Sequence, residues 1–172
     1  METIISLDQS VSKTGISVFE FNDGDDDYKL IAYELFVSKG TTEEKIFKTA
    51  CKLQDLIMEY EPTKVLIEDV QLQVNAKTYK SLSQLQGVLF FLCYRMKITC
   101  EIINASVWRK GLEIKGKKRD ELKEKAKEYG VSVGTFLAAV LLQAVYKTQQ
   151  SEKKASLRRK DVKIAIDGAA RE

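Results

Sequence analysis

The chain has 172 residues, 44% of them apolar, enough for one domain with a real core. It contains no histidine, which excludes imidazole as base, nucleophile or metal ligand and leaves carboxylates, lysines, hydroxyls or a bound cation to carry any chemistry. The net charge of +3 hides a division: residues 1–70 hold 7 Lys/Arg against 15 Asp/Glu, net −8, and residues 71–172 hold 21 against 10, net +11. An acidic centre beside a basic surface suits a metal-dependent enzyme acting on a polyanion.

In chain order, "TIISLD" (3–8) reads as a β-branched strand ending in an acid, and "QSVSKTG" (9–15) as a polar turn. "ISVFEF" (16–21) and "YKLIAYELFV" (28–37) are further strands, joined by the hairpin-type turn "NDGDDD" (22–27), so the first three strands form an antiparallel meander. "TTEEKIFKTACKLQDLIMEY" (41–60) is predicted helical: Thr41 and Glu44 have capping-box spacing, and Ile46, Phe47, Ala50, Leu53 and Ile57 recur at helical intervals. Pro62, the only proline, terminates it. "KVLIED" (64–69) is a fourth strand, "KTYKSLSQLQGVLFFLCYRMK" (77–97) a second long helix, and "ITCEII" (98–103) a fifth strand. From Asn104 onward the pattern is helical, broken at "KGKKR" (115–119).

A strand after the helix 41–60 should lie parallel to its neighbour in the same sheet. Strands 3–8 and 64–69 are then adjacent, and both end in acids. Charges at the end of a buried strand need a partner, and Asp8 and Glu68 would find one in a cation that both bind. Asp69 points to the opposite face from Glu68. The bland alternatives are a turn-initiating Asp and a surface Glu; the pairing on neighbouring strands argues against coincidence.

Cys51, Cys93 and Cys100 lack metal-ligand spacing and fall in amphipathic or apolar stretches, so buried reduced thiols are expected, in keeping with a reducing cytoplasm. The apolar runs 88–94 and 136–142 are too short to span a bilayer, and Met1 runs directly into strand-like sequence; neither a membrane segment nor a secretory signal is expected. The run 108–127 has 9 Lys/Arg and 4 Asp/Glu, which reads either as a solvated helix or as a phosphate-contacting surface. Trp108 is expected in the core, and 133–147, apolar nearly all round, in the core or an oligomer interface.

Four stretches together resemble the RuvC-like Holliday-junction resolvases, particularly the phage-type branch, within the RNase H-like superfamily. "IISLDQSVSKTGISVFE" (4–20) resembles the first strand with its catalytic Asp and hairpin. "VLIEDVQLQVNAKTYKSLSQLQGVL" (65–89) resembles the second catalytic strand, the DNA-probing loop and the helix carrying Gly87. "IINASVWRKGLEIKGKKRDELKEKAKEYG" (102–130) resembles the Trp-Arg stretch and the Lys-rich helix start, and "FLAAVLLQAVYK" (136–147) the helix that bears the family's last carboxylates.

The resemblance implies an α/β RNase H-like fold, a five-stranded mixed sheet of three antiparallel then two parallel strands flanked by helices. The expected division is a resolvase domain over 1–150 and a basic tail over 151–172. It further implies a Mg²⁺-dependent endonuclease, with Mn²⁺ as substitute, that resolves four-way and related branched DNA as an intracellular homodimer, in the cytoplasm or nucleoid.

Asp8 and Glu68 would be metal-binding catalytic acids. Lys118 or Arg119 would stabilise transition-state charge, and Lys13, Arg109, Lys117, Lys118, Arg119 and Lys123 would contact DNA.

The sequence departs from the family in one place. The C-terminal helix should carry one or two Asp facing Asp8 and Glu68, yet no acid occurs from 129 to 151, and Ala138 stands where an aspartate is expected. Three accounts fit: a degenerate enzyme, acids deliberately replaced to trap a complex, or a third catalytic, metal-binding ligand from the tail, where Asp167 precedes small residues. A catalytically impaired branched-DNA-binding protein on the same fold is therefore the competing reading. A phosphate cradle at Ser10, Ser12 and Lys13, as in actin-like ATPases, lacks the second domain needed to close over a nucleotide.

Overall fold

The computed structural model describes residues 2–21, 28–71 and 75–104, together with Glu124 and Lys127. Its elements are β1 (Glu2–Asp8), β2 (Lys13–Phe21), β3 (Tyr28–Val37), α1 (Thr42–Tyr60), β4 (Lys64–Glu68), α2 (Ala76–Arg95) and β5 (Thr99–Ile103). They form one sheet of order β3-β2-β1-β4-β5. The first three strands are antiparallel, and β4 and β5 join parallel to β1, as predicted. The turn at 22–27, the domain division at 150/151, and Trp108, Arg109, Lys117, Lys118, Arg119, Lys123, Ala138 and Asp167 lie outside the described residues.

β2 begins at Lys13 rather than at Ile16. Lys13, Thr14 and Gly15 pair with Val37, Phe36 and Leu35, and Gly15 also pairs with Asp8. Pairing with β3, joined at Gly15 by pairing with β1, thus imposes an extended backbone on residues whose local composition reads as turn. The true connection is 9–12, and it is stitched down. The Thr14 hydroxyl donates to the Ser10 carbonyl at 2.9 Å, and Ser38 Oγ donates to the Val11 carbonyl at 3.0 Å. Ser38 N–H donates to the Ser12 carbonyl at 3.1 Å. These bonds tie up the loop and do not leave it as an open phosphate cradle.

The Thr41–Glu44 capping box forms as predicted. α1 stops at Tyr60 because Glu61 turns left-handed, at φ 44°, and Pro62 follows. α2 is capped by Asn75, whose side chain accepts from the N–H groups of Lys77 and Thr78. It ends two residues before the predicted limit, at Arg95. Lys97, at φ 60°, makes the reversal, and Ile98 N–H bonds to the Cys93 carbonyl at 2.9 Å.

Strand alternation divides the sheet into two faces. One presents Ile5, Leu7, Ile16, Val18, Val65 and Ile67 to Leu53, Leu56 and Ile57 of α1 and to Leu85, Leu89 and Cys93 of α2, a single buried cluster. Each such side chain contributes about 1.5–3 kcal/mol on leaving water. On the other face Ile4, Ser6, Ser17, Phe19 and Leu66 are buried as well.

Two inward expectations fail. Phe47 is 67% exposed, because it lies one step of about 100° around the helix from Ile46 and off the buried stripe. Only Cys93 of the three thiols is buried; Cys51 and Cys100 are half-buried.

Candidate active site

β1 and β4 run side by side in parallel, with Ile5 opposite Val65 and Leu7 opposite Ile67. The next residue on each strand is an acid. Alternation from Ser6 and Leu66 turns Asp8 and Glu68 onto the face away from α1 and α2. The predicted pair therefore meets at the C-terminal end of adjacent strands. On its other flank Asp8 is paired with Gly15, which adds no competing side chain.

The two carboxyls are hydrogen-bonded to each other. Burial, then the charge of Glu68, then that hydrogen bond push the Asp8 carboxyl up to about 8. Without a cation, then, Asp8 keeps its proton at neutral pH, since two carboxylates this close cannot both ionise cheaply. A positive ion between them removes the obstacle. The donors are carboxylate oxygens only, which suits a hard cation such as Mg²⁺ that fills its remaining positions with water. Among the described residues no third acid, cysteine or histidine joins them. Asp69 leaves the pair: its N–H bonds to the Ile103 carbonyl at 2.8 Å and ties the end of β4 to β5.

Two glutamines that sequence reasoning missed hold the backbone behind Glu68. Gln9 Nε2 donates to the Glu68 carbonyl at 3.0 Å, and Gln86 Nε2, from α2, donates to the same oxygen at 3.3 Å. Gln9 is buried, and its Oε1 has no hydrogen-bond partner among the described residues. The available signal was an amide directly after the catalytic-type Asp, and a second within the apolar run of α2.

Two helix N-termini and several acids gather at this edge, Glu43 and Glu44 standing in the first turn of α1. α1 follows β3 and α2 follows β4, so both helices start at the end of the sheet where Asp8 and Glu68 lie, and their N-terminal dipoles face outward there. Lys13, the only predicted DNA-contacting residue within the described set, is exposed at the same end. Lys45 Nζ donates to Ser12 Oγ at 3.1 Å, and Lys48 Nζ to the Lys39 carbonyl at 2.8 Å.

The sequence profile of the crossover junction endodeoxyribonuclease RuvC family matches residues 4–121. No curated protein matches significantly. Among solved structures, the fold is similar to Thermus thermophilus RuvC in complex with a Holliday junction substrate, at TM-score 0.69 and 8% identity over 87% of this chain and 96% of that one. It is similar to the yeast mitochondrial Holliday junction resolvase Ydc2 at TM-score 0.63 and 11% identity, over 88% and 80%. The fowlpox virus Holliday junction resolvase gives 0.55 and 15%, over 85% and 99%. At these identities the structural likeness speaks for the fold, which is RNase H-like as expected.

Proposed function

The chain belongs to the crossover junction endodeoxyribonuclease RuvC family, and from that premise we propose that it is an intracellular endonuclease that cuts four-way and related branched DNA by Mg²⁺-dependent phosphodiester hydrolysis, with Mn²⁺ as substitute, as a homodimer. The observation that carries the reading is the meeting of Asp8 and Glu68 at the ends of adjacent parallel strands. Asp8 and Glu68 would hold the cation, which supplies an activated water and charge neutralisation at the phosphate. Gln9 and Gln86 fix the backbone of Glu68. The helix N-termini and Lys13 favour the DNA backbone at this edge. A four-way junction is two-fold symmetric, and a homodimer matches that symmetry. Among the described residues no helix is long and apolar enough to cross a membrane.

The test is cleavage of a synthetic four-way junction with Mg²⁺, beside binding in a chelator. Asp8→Asn and Glu68→Gln should each abolish cleavage and leave metal-free junction binding intact, since each removes a cation ligand with little change of shape. A variant that cuts at the parent rate would sink the site.

A second reading, an impaired junction-binding protein, is favoured by the acid-free stretch 129–151. Its forecast is a parent chain that binds but does not cut, and that gains cleavage through Ala138→Asp. If Asp167 is the third ligand instead, the parent cuts and Asp167→Asn stops it.

A further inference from the structure

Cys93 and Cys100 meet on the side of the sheet that the helices cover. Cys100 is paired with Val65 across β4 and β5, and paired residues on neighbouring strands turn their side chains to the same face. Val65 belongs to the buried cluster that also holds Cys93 of α2, and Cys100 packs against that cluster. The turn between the two elements is short and fixed. Lys97 takes a left-handed backbone at φ 60°, and Ile98 N–H bonds to the Cys93 carbonyl at 2.9 Å. β5 is thereby folded back along the end of α2, and the two thiols come within hydrogen-bonding reach of each other. Cys93 is fully buried, whereas Cys100 is half-buried, so a small reagent meets Cys100 first. Cys51 lies apart, in a groove with Phe36 of β3, and β3 and β5 stand at opposite ends of the strand order.

We propose that Cys93 and Cys100 are a reversible dithiol–disulfide pair that closes under a peroxide oxidant and clamps α2 to β5. The roles of the two thiols follow from their contact. The Cys93 thiol donates to the Cys100 sulfur. This bond holds the Cys100 thiol below its ordinary value, and the same bond, together with burial, raises that of Cys93. Cys100 therefore ionises first, and it is also the accessible one. Its thiolate attacks hydrogen peroxide: the O–O bond breaks, a sulfur–oxygen bond forms, and the departing hydroxide takes up the proton that Cys100 released. The Cys93 sulfur then attacks the sulfur of the Cys100 sulfenic acid. The S–S bond forms, the S–O bond breaks, and the oxygen leaves as water with the Cys93 proton. Two thiols have lost two electrons and two protons, and one peroxide has become two waters. A small dithiol reverses the step by exchange. A pair that stays reduced in a reducing compartment and closes only under oxidant is a switch rather than a structural bridge. β5 pairs with β4, the strand of Glu68, and α2 carries Gln86 about two turns before Cys93. The closed bridge thus ties together the elements that hold the Glu68 backbone.

Exposure of the reduced full chain to hydrogen peroxide in chelator tests the pair. Alkylation of the remaining thiols and mass spectrometry of the peptides should find Cys93 and Cys100 joined within one chain and Cys51 alkylated. Dithiothreitol should restore all three thiols. The thermal midpoint should rise by about 5 °C on oxidation, because the ring closed by residues 93–100 restrains the unfolded chain. Cys51→Ser should leave both results unchanged. Cys100→Ser, a conservative change at a half-buried position, should form no bridge and show no rise. Cys93→Ala should leave an unresolved sulfenic acid on Cys100, which dimedone labels. Thiols that stay free in the parent, a bridge to Cys51 or between chains, Cys100 oxidised further without a bridge, or a midpoint that fails to rise would each overturn the proposal. Neither DNA nor Mg²⁺ enters these measurements. A chain that bridges but does not cut junctions therefore counts against the nuclease reading alone, and one that cuts but does not bridge counts against this pair alone.

Discussion

At the residue scale the decisive group is Asp8. Its carboxyl is raised from 3.8 to about 8 by burial first and by Glu68 second. Between those values the folded chain holds a proton that the unfolded chain releases, so stability falls as pH rises. The contribution is fully present below the unfolded value and is lost as pH climbs through the folded one. Chemical denaturation of the metal-free protein should therefore show stability declining from about pH 4 to about pH 8, and Asp8→Asn should flatten that decline. Mg²⁺ should stabilise the parent more at pH 8 than at pH 5, because only the ionised pair binds it well; equal stabilisation at both would argue against Asp8 as a ligand. Gln86 acts one step further out. Gln86→Ala leaves the Glu68 carbonyl with Gln9 alone, and cleavage should fall by about tenfold with junction affinity in chelator unchanged. A loss of affinity equal to the loss of rate would make Gln86 part of the DNA surface instead.

At the scale of elements, α1 is held at its start by the Thr41–Glu44 box and along its length by Leu53, Leu56 and Ile57. Thr41→Ala should cost about 1 kcal/mol. Leu53→Ala, which empties a fully buried site between α1 and the sheet, should cost about 2–5 kcal/mol. Urea titrations read both, and the order matters: if the cap variant costs as much as the core variant, α1 is stabilised by its end more than by its packed face. α2 differs in kind. Its inner stripe of Leu85, Leu89 and Cys93 is as buried as that of α1, but Phe90, Phe91 and Tyr94 are exposed on its outer side. Exposed rings clustered along one helix mark a surface that meets something.

At the scale of the whole molecule, charge is divided as chemistry is. The acidic first half builds the pair on β1 and β4, and the basic second half supplies the net +11. If that excess faces DNA, junction affinity should fall steeply and linearly on a log–log plot against salt, through release of counterions. Lys118→Ala and Lys123→Ala should each weaken binding and reduce the slope by about one. Filter binding or fluorescence anisotropy over a salt series reads this, and slopes untouched by both substitutions would move the interface to the lysines around the N-termini of α1 and α2.

Much of this protein was legible in its residues. Strand alternation in "TIISLD" and "KVLIED", with a helix between them, was enough to predict that Asp8 and Glu68 share a face and an edge, because side-chain direction in a strand follows from counting. The capping box of α1 was equally plain, since both partners lie within four residues. Only the tertiary structure decided the rest. Lys13–Gly15 became strand because β3 pairs with all three and β1 with Gly15, which no local preference encodes. Gln9 and Gln86 converge on one carbonyl across 77 positions of sequence, and the Asp8 carboxyl is pushed up because the fold buries it and β4 then delivers a second carboxyl beside it. Phe47 sits in a helical apolar pattern but faces outward, because periodicity marks a stripe and the packed sheet decides how much of it is covered. Interactions carried along the backbone are written in sequence order; those that depend on which surfaces meet, and how much water is left between them, exist only once the chain has folded.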